Sequence, residues 1–145
     1  MLQIFIRTEQ NVVIEINPQL RIPRTFKRFS GLIAQLLSKY KIRGERSSEF
    51  LLKVIKAPVE SHFPVGCPRI GLSVGGKLVN IDKYVEEKFP ENETVVLAIG
   101  AVAKGDPGKE APYVEEVIAI SGYSLSAACC CFKVTNAFEK KWGIL

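Results

Sequence analysis

Hydrophobic residues first recur at every second position and then, further along the chain, at every third or fourth. In Leu2–Thr8 the apolar residues Leu2, Ile4 and Ile6 alternate with Gln3, Phe5 and Arg7, and Val12–Ile16 is a second run rich in β-branched residues. Alternation of this kind is typical of half-buried strands. The sequence therefore predicts a β-hairpin whose turn is Glu9–Asn11.

The hydrophobic period changes to that of a helix after Pro23. Apolar side chains then occur at steps of three and four, at Phe26, Phe29, Ile33, Leu36, Leu37 and Tyr40. This spacing predicts an amphipathic helix of about four turns. Pro23 suits the first turn, where its missing N–H costs nothing. The helix is expected to end in a basic, glycine-containing loop, Lys39–Ser48.

Later in the chain the apolar runs become short and continuous. They are Leu51–Ile55, Arg69–Val74, Thr94–Ile99 and Glu116–Ile120. Continuous runs suit strands that are covered on both faces, so they predict a mainly parallel sheet in an α/β fold. Asp106–Pro112 is expected to be an exposed loop, and Ser126–Lys141 a terminal helix. A length of 145 residues predicts a single domain, residues 1–145.

The charge balance is moderately basic. Twenty Lys and Arg residues against 15 Asp and Glu residues give a net charge of +5, which is compatible with a nucleic-acid partner but does not prove one. The longest apolar run, Val95–Ala103, has nine residues, whereas a membrane span needs about 20. The start of the chain lacks the pattern of a secretory signal. We expect a soluble, intracellular protein with no membrane partner.

The cysteines and the single histidine do not predict a metal site. Cys129, Cys130 and Cys131 are consecutive, and Cys67 is isolated. Successive helical residues point about 100° apart, so three in a row cannot converge on one metal ion. We expect the cysteines to be packing residues. His62 lacks partners for a Ser-His-Asp or Cys-His enzyme and is expected to be a loop or packing residue.

Gly100–Gly105 follows a predicted buried strand and has the glycine spacing of a phosphate-binding loop. That motif requires Lys and then Ser or Thr after its second glycine, because these side chains serve the phosphates and the metal. Here Asp106 and Pro107 follow. The sequence therefore argues against nucleotide hydrolysis.

Three predicted strands run into segments that carry glycine or serine. These segments are Ile70–Ser73, Gly100–Gly105 and Ile120–Leu125. Ligands of open α/β sheets bind at the carboxyl ends of the strands, where glycine lets the backbone approach them. The segments therefore predict either a ligand site or three ordinary turns, and both interpretations stay open.

Arg21, Arg24 and Arg28 are spaced three and four residues apart. They would form one stripe if the helix began near Arg21, and guanidinium groups can bind phosphates with two hydrogen bonds each. A solvated helix face is the alternative interpretation. The absence of acidic i,i+4 partners favours a polyanionic partner.

Several segments together resemble one protein family. Ile16–Phe26 (INPQLRIPRTF), Leu51–Lys56 (LLKVIK), Leu125–Ala128 (LSAA) and Ala137–Gly143 (AFEKKWG) carry the resemblance. They are similar to the pseudouridine-N1-specific small-subunit rRNA methyltransferases, which belong to the α/β-knot (SPOUT) superfamily. The resemblance extends over nearly the whole chain.

This resemblance implies a fold and a set of ligands. It implies a SPOUT-type α/β knot in which the C-terminal segment is threaded through a loop, and a homodimer. It implies that S-adenosylmethionine is held by residues at the positions of Leu72, Gly100, Gly105, Ile120, Ser121, Gly122, Tyr123, Ser124 and Leu125. It further implies that Arg21, Arg24 and Arg28 contact small-subunit rRNA. Ribosome assembly factors are the implied partners, and the nucleus and nucleolus the implied location.

The chain also departs from the family pattern. Lys104, Gly122 and Ser124 stand where the family usually has His, Asn and Pro. The family's catalytic Arg and Asp lie upstream of the position of Met1, so the catalytic residues are unknown here. We expect the chain to be the C-terminal portion of a knotted methyltransferase domain, with the N-terminal strands missing.

Two functions follow from the residues and the resemblance. The first is S-adenosylmethionine-dependent methylation of N1 of a pseudouridine in small-subunit rRNA, with a role in small-subunit biogenesis. The alternative is a non-catalytic RNA-binding assembly factor that retains the knotted fold.

Overall fold

The computed structural model describes residues 2–44 and 48–144. Its contacts group the chain into two compact units, Met1–His62 and Phe63–Leu145. The first unit contains β1 (Ile4–Arg7), β2 (Val13–Ile16), α1 (Phe26–Lys39), β3 (Lys41–Arg43), β4 (Phe50–Ile55) and a 3₁₀ turn (Val59–His62). The second contains β5 (Arg69–Leu78), α2 (Ile81–Lys88), β6 (Val96–Ile99), α3 (Pro107–Glu110), β7 (Glu116–Ala119) and α4 (Ala127–Lys141). The expected single domain over residues 1–145 stays a prediction.

The first unit is an antiparallel sheet of strand order β1-β2-β4-β3. β1 and β2 form the predicted hairpin, with Ile4 opposite Ile16. Asn11 supplies the left-handed turn residue, at φ 60°, a conformation that Asn tolerates better than most residues. Ile14 and Ile16 are buried in one cluster with Leu36 of α1, so α1 packs on this face of the sheet.

Two expectations for this unit are wrong. The run Leu51–Ile55 does not join a parallel sheet, because β4 pairs antiparallel with both β2 and β3. The predicted loop Lys39–Ser48 contains β3, although residues 45–47 of it lie outside the described residues. Tyr40 ends α1 in a left-handed conformation at φ 61°, which turns the chain directly into β3.

α1 begins three residues later than predicted. Thr25 is extended, at φ −113° and ψ 143°, so the first helical residue is Phe26 rather than Pro23. The Phe26 side chain is 83% exposed and does not belong to the buried face. That face is made by Leu36, with Leu32 and Ile33 packed beside it.

The second unit contains the predicted parallel sheet, of order β6-β5-β7. Its central strand is β5. The buried cluster draws on the sheet, α2 and α4, and consists of Ile70, Leu72, Val85, Phe89, Ile118, Val134 and Ala137. α4 is confirmed, and Ser126 caps it by accepting a hydrogen bond from the backbone N–H of Cys129 at 3.2 Å. Sequence analysis did not predict α2 or α3.

The cysteines divide between core and surface. The Cys67 thiol is buried and donates to the Pro64 carbonyl oxygen at 3.0 Å. Cys130 packs against the buried cluster, and burial raises the pKa of its thiol. Cys131 is exposed, so its expected packing role is wrong.

Among the described residues, no group of His, Cys, Asp and Glu side chains is arranged to hold a metal ion. No helix in the described ranges is long and apolar enough to cross a membrane.

Candidate functional site

The carboxyl ends of the three parallel strands lie side by side. Leu72 of β5 pairs with Ile99, the last residue of β6, and with Ile118, which lies one residue before the end of β7. The segments that follow β6 and β7, Gly100–Gly105 and Ile120–Leu125, therefore leave the same edge of the sheet. Sequence reasoning singled out both segments, and the strand register brings them together at the edge where α/β sheets bind ligands.

The third predicted segment, Ile70–Ser73, is not a loop. β5 continues to Leu78, but its register against β7 shifts between Leu72 and Lys77. The strand therefore bulges over residues 73–76, immediately past the end of its pairing with β6. Bulges are common beside functional sites because they redirect side chains.

Ser73 in this bulge is joined to Asp106, which sequence reasoning missed. The Ser73 side chain, in a residue that is 8% exposed, donates to Asp106 Oδ2. Its oxygen also accepts from the backbone N–H of Gly75 at 3.1 Å. Asp106 caps α3 by accepting from the backbone N–H of Lys109 at 3.3 Å. An Asp followed by Pro is a helix-start signal that could have revealed α3.

α3 lies directly on the backbone of β5. A Cβ atom on Gly71 would come within 1.9 Å of the Gly108 carbonyl oxygen, and one on Gly108 within 2.1 Å of the Leu72 carbonyl oxygen. Only glycine fits at such a distance. These contacts fix the position of the segment that follows the Gly100–Gly105 loop.

The Gly100–Gly105 loop exposes backbone donors. Within residues 2–44 and 48–144, no acceptor is bonded to the backbone N–H groups of residues 101–105. Gly105 adopts φ +91°, and a Cβ added there would meet nothing within 4 Å. Val102 and Lys104 are exposed. The loop thus has backbone N–H groups without a partner among the described residues, and an exposed apolar side chain, Val102.

The Ile120–Leu125 loop is braced by one local hydrogen bond. Ser121 Oγ accepts from the backbone N–H of Tyr123 at 3.1 Å, and the Tyr123 side chain is 84% exposed. Gly122 and Ser124 are exposed, while Ile120 and Leu125 are half-buried.

Leu72 differs from the other predicted site residues, because its side chain lies in the core and Gly108 covers its carbonyl oxygen.

Arg21, Arg24 and Arg28 border one shallow depression in the first unit. It has a volume of about 340 Å³ and is also lined by Ile22, Pro23 and Thr25. The predicted single helical stripe is wrong, because only Arg28 lies within α1. The non-helical segment before α1 nevertheless brings the three arginines around the same depression.

The positive charge of the chain is concentrated in this unit. Met1–His62 has eleven Lys and Arg residues against five Asp and Glu, whereas Phe63–Leu145 has nine against ten. Residues 16–44 contain seven basic residues and no acidic one. Among the described residues of this unit, Lys53 forms an ion pair with Glu15 at 2.8 Å. Such an uncompensated surface attracts polyanions.

A methyltransferase family model matches most of the chain. The family model described as EMG1/NEP1 methyltransferase matches residues 1–139. The chain therefore belongs to the EMG1/NEP1 methyltransferase family.

Individual relatives agree with the family match. The chain is 50% identical to the protein named ribosomal RNA small subunit methyltransferase NEP1 from Drosophila melanogaster, over 100% of this chain and 59% of that protein. It is 48% identical to the Homo sapiens protein of the same name, over 100% of this chain and 57% of that protein. It thus spans somewhat more than half the length of these relatives.

A solved structure shares the fold. It is the crystal structure of Archaeoglobus fulgidus Nep1 bound to S-adenosylhomocysteine, with a TM-score of 0.78 and 17% sequence identity. The match covers 97% of this chain and 62% of that chain.

Proposed function

We propose that this chain is part of an S-adenosylmethionine-dependent methyltransferase that acts on small-subunit rRNA. The observation that carries the proposal is the convergence of the Gly100–Gly105 and Ile120–Leu125 loops at the carboxyl edge of the parallel sheet. The names of the family and of the relatives support it. The finer proposal, based on the resemblance of residues 16–26, is that the methyl group is placed on N1 of a pseudouridine.

The residues at the sheet edge fit S-adenosylmethionine. The adenine ring needs an apolar surface, which the exposed Val102 and Tyr123 side chains offer. The ribose hydroxyls and the carboxylate need hydrogen-bond partners, which the backbone groups of residues 101–105 supply. Gly100 and Gly105 let that backbone approach the ligand. These residues can therefore contribute to a site for the cofactor.

The reaction needs little covalent chemistry from the protein. When bound, S-adenosylmethionine would supply a methyl group activated by its sulfonium sulfur and would leave as S-adenosylhomocysteine, while the proton of N1 would pass to a general base or to water. The contribution of this chain is to orient the two reactants, with the loops at the sheet edge holding the cofactor and the arginines holding the RNA backbone.

The cofactor site is tested by the variant Gly105→Val. We expect it to abolish measurable binding of S-adenosylmethionine in calorimetric titration while the protein stays folded. The reason is that valine is strained at φ +91° but clashes with nothing within 4 Å, so the change displaces only the loop.

Gly66→Val is the matched control, because Gly66 also has a positive φ, +77°, and open space around it, but lies outside the predicted site. Unchanged affinity in a folded Gly105→Val variant would remove the Gly100–Gly105 loop from the site. Incorporation of labelled methyl into a pseudouridine-containing RNA hairpin is the second readout, and it compares this chain with a version that carries the upstream segment, because we expect this chain alone to be inactive.

The alternative function is a non-catalytic RNA-binding assembly factor. It is favoured by the concentration of basic residues in Met1–His62. Cofactor binding distinguishes the two, since an assembly factor needs no cofactor. A trefoil knot, a homodimer, assembly-factor partners and a nucleolar location remain parts of the proposal that rest on the resemblance.

The RNA contacts are tested by Arg24→Ala and Arg28→Ala. Each is expected to weaken RNA binding and to lower the slope of log affinity against log salt by about one unit, because each guanidinium displaces about one counterion from a phosphate. Binding isotherms over a salt series measure this slope. Lys133→Ala, an exposed charge on α4, is the control and should leave the slope unchanged. If the arginine variants keep the original slope, the three arginines form a solvated surface.

A further inference from the structure

A second cationic surface lies on β3 and β4 of the first unit. The Arg43 guanidinium lies over the Phe50 ring at 4.6 Å from its centroid, and the Lys41 ammonium lies over the same ring at 5.2 Å. We call Lys41, Arg43 and Phe50 the β3 cation surface. Within the described residues, neither cation forms an ion pair with a carboxylate.

This surface lies on the opposite face of the sheet from α1. Ile42, between the two cations, packs into the cluster that α1 covers. Because side chains alternate along a strand, Lys41 and Arg43 lie on the other face. The register places Lys41 opposite Lys53 of β4, and Lys53 opposite Glu15 of β2. The β3 cation surface is therefore separate from the arginine depression at the start of α1.

The Phe50 ring restrains the Arg43 guanidinium, whose carbon lies 4.6 Å from the ring centroid. A cation over a ring face is attracted by the ring quadrupole, and this contact uses none of the guanidinium N–H donors. The rotamer freedom lost on binding an anion is thereby reduced. Phosphate is the anion whose geometry matches this fork of donors.

The neighbouring groups limit where phosphates can bind. A depression of about 350 Å³ beside the ring is lined by Gln3, Glu15, Asn17, Pro18, Glu49, Phe50 and Lys53. The cation in this lining, Lys53, is paired with Glu15 at 2.8 Å, so the depression itself attracts anions only weakly. We therefore expect phosphates to bind at Lys41 and Arg43, at the edge of the sheet.

We propose that Lys41 and Arg43 form a second phosphate-binding site for RNA, occupied by a stretch of the substrate RNA that lies outside the target hairpin. The proposal rests on the proposed rRNA substrate. α1 has 14 residues, and its two ends lie about 20 Å apart at about 1.5 Å per residue. The arginines lie at its beginning and β3 follows its end, so a single strand of RNA leaving the hairpin can reach both surfaces.

The test compares two RNAs and two matched double variants. One RNA is a pseudouridine-containing hairpin, and the other is the same hairpin with a single-stranded extension. Lys41→Gln combined with Arg43→Gln removes the two cations but keeps polar side chains at the edge strand. Lys83→Gln combined with Lys133→Gln removes the same charge from exposed positions of the second unit.

We expect the extension to increase the affinity of the unaltered protein and of the control double variant. The Lys41/Arg43 double variant should lose this gain, and its salt slope for the extended RNA should fall by about two units. Its affinity for the bare hairpin should change far less. These results together would establish the second site.

The results that would contradict this inference differ from those that would contradict the proposed function. The second site is excluded if the extension raises the RNA affinity of the Lys41/Arg43 double variant as much as that of the unaltered protein. It is also excluded if the extension raises the affinity of neither protein. Hairpin binding stands in both cases. If that variant self-associates with unchanged RNA affinity, the two cations serve only to keep the edge strand from pairing with another copy. If the unaltered protein binds neither RNA, the proposed function fails together with this inference.

Discussion

Gly71→Ala is expected to lower the free energy of unfolding by about 3 kcal/mol or more, at the upper end of the cost of overpacking a core. The new methyl group would lie 1.9 Å from the Gly108 carbonyl oxygen and 2.9 Å from the Gly108 carbonyl carbon. Both atoms belong to backbone, so no side-chain rotation can relieve the contact. α3 must move off β5, and the segment that follows the Gly100–Gly105 loop must move with it.

Denaturant unfolding and calorimetric titration with S-adenosylmethionine measure this result. We expect the variant to lose both stability and cofactor binding. Gly31→Ala is the control, since Gly31 lies in α1 and a Cβ there meets nothing within 4 Å. It should stabilise the protein by about 0.5–1 kcal/mol through helix propensity. A Gly71→Ala variant as stable as the unaltered protein would contradict the packing of α3 on β5.

Ile118→Ala is expected to cost about 2–5 kcal/mol of unfolding free energy, the usual range for removing a buried Ile or Leu side chain. Ile118 is 0% exposed at the centre of the second unit's cluster. Leu36→Ala is expected to cost a similar amount, because Leu36 is also 0% exposed and joins α1 to its sheet. Chemical denaturation followed by circular dichroism measures both values.

The two alanine variants also probe the division of the chain into units. If Met1–His62 and Phe63–Leu145 unfold separately, Leu36→Ala should shift the transition of the first unit only, and Ile118→Ala that of the second. If they unfold together, each variant should shift one common transition. Ile118→Val is the conservative control and should cost about 0.5–1.5 kcal/mol. A negligible loss in both alanine variants would contradict the two clusters.

The candidate site was only partly predictable from sequence. The glycines of the Gly100–Gly105 loop and the two serines of Ile120–Leu125 follow apolar runs, so local order along the chain predicts both segments. The link between Ser73 and Asp106 was not predictable, because these residues are 33 positions apart. No local sequence pattern indicates that these two side chains will come together in the fold.

The sequence by itself determined the elements whose signals are local. Alternation in Leu2–Thr8 predicted β1, and a β-branched run predicted β2. Period 3.6 predicted most of α1, and the Ala- and Cys-rich run Ser126–Lys141 predicted α4. The uncompensated charge of residues 16–44 can also be read directly from the chain.

Only the tertiary structure decided which segments meet. It paired β4 antiparallel with β2 and β3, although an apolar run such as Leu51–Ile55 looks the same in either kind of sheet. It placed Lys41 and Arg43 over Phe50 and α3 on the backbone of β5. The physical reason is that hydrophobic periodicity specifies which face of an element is buried. The partner that covers the face depends on loop closure and on packing among residues far apart in the chain.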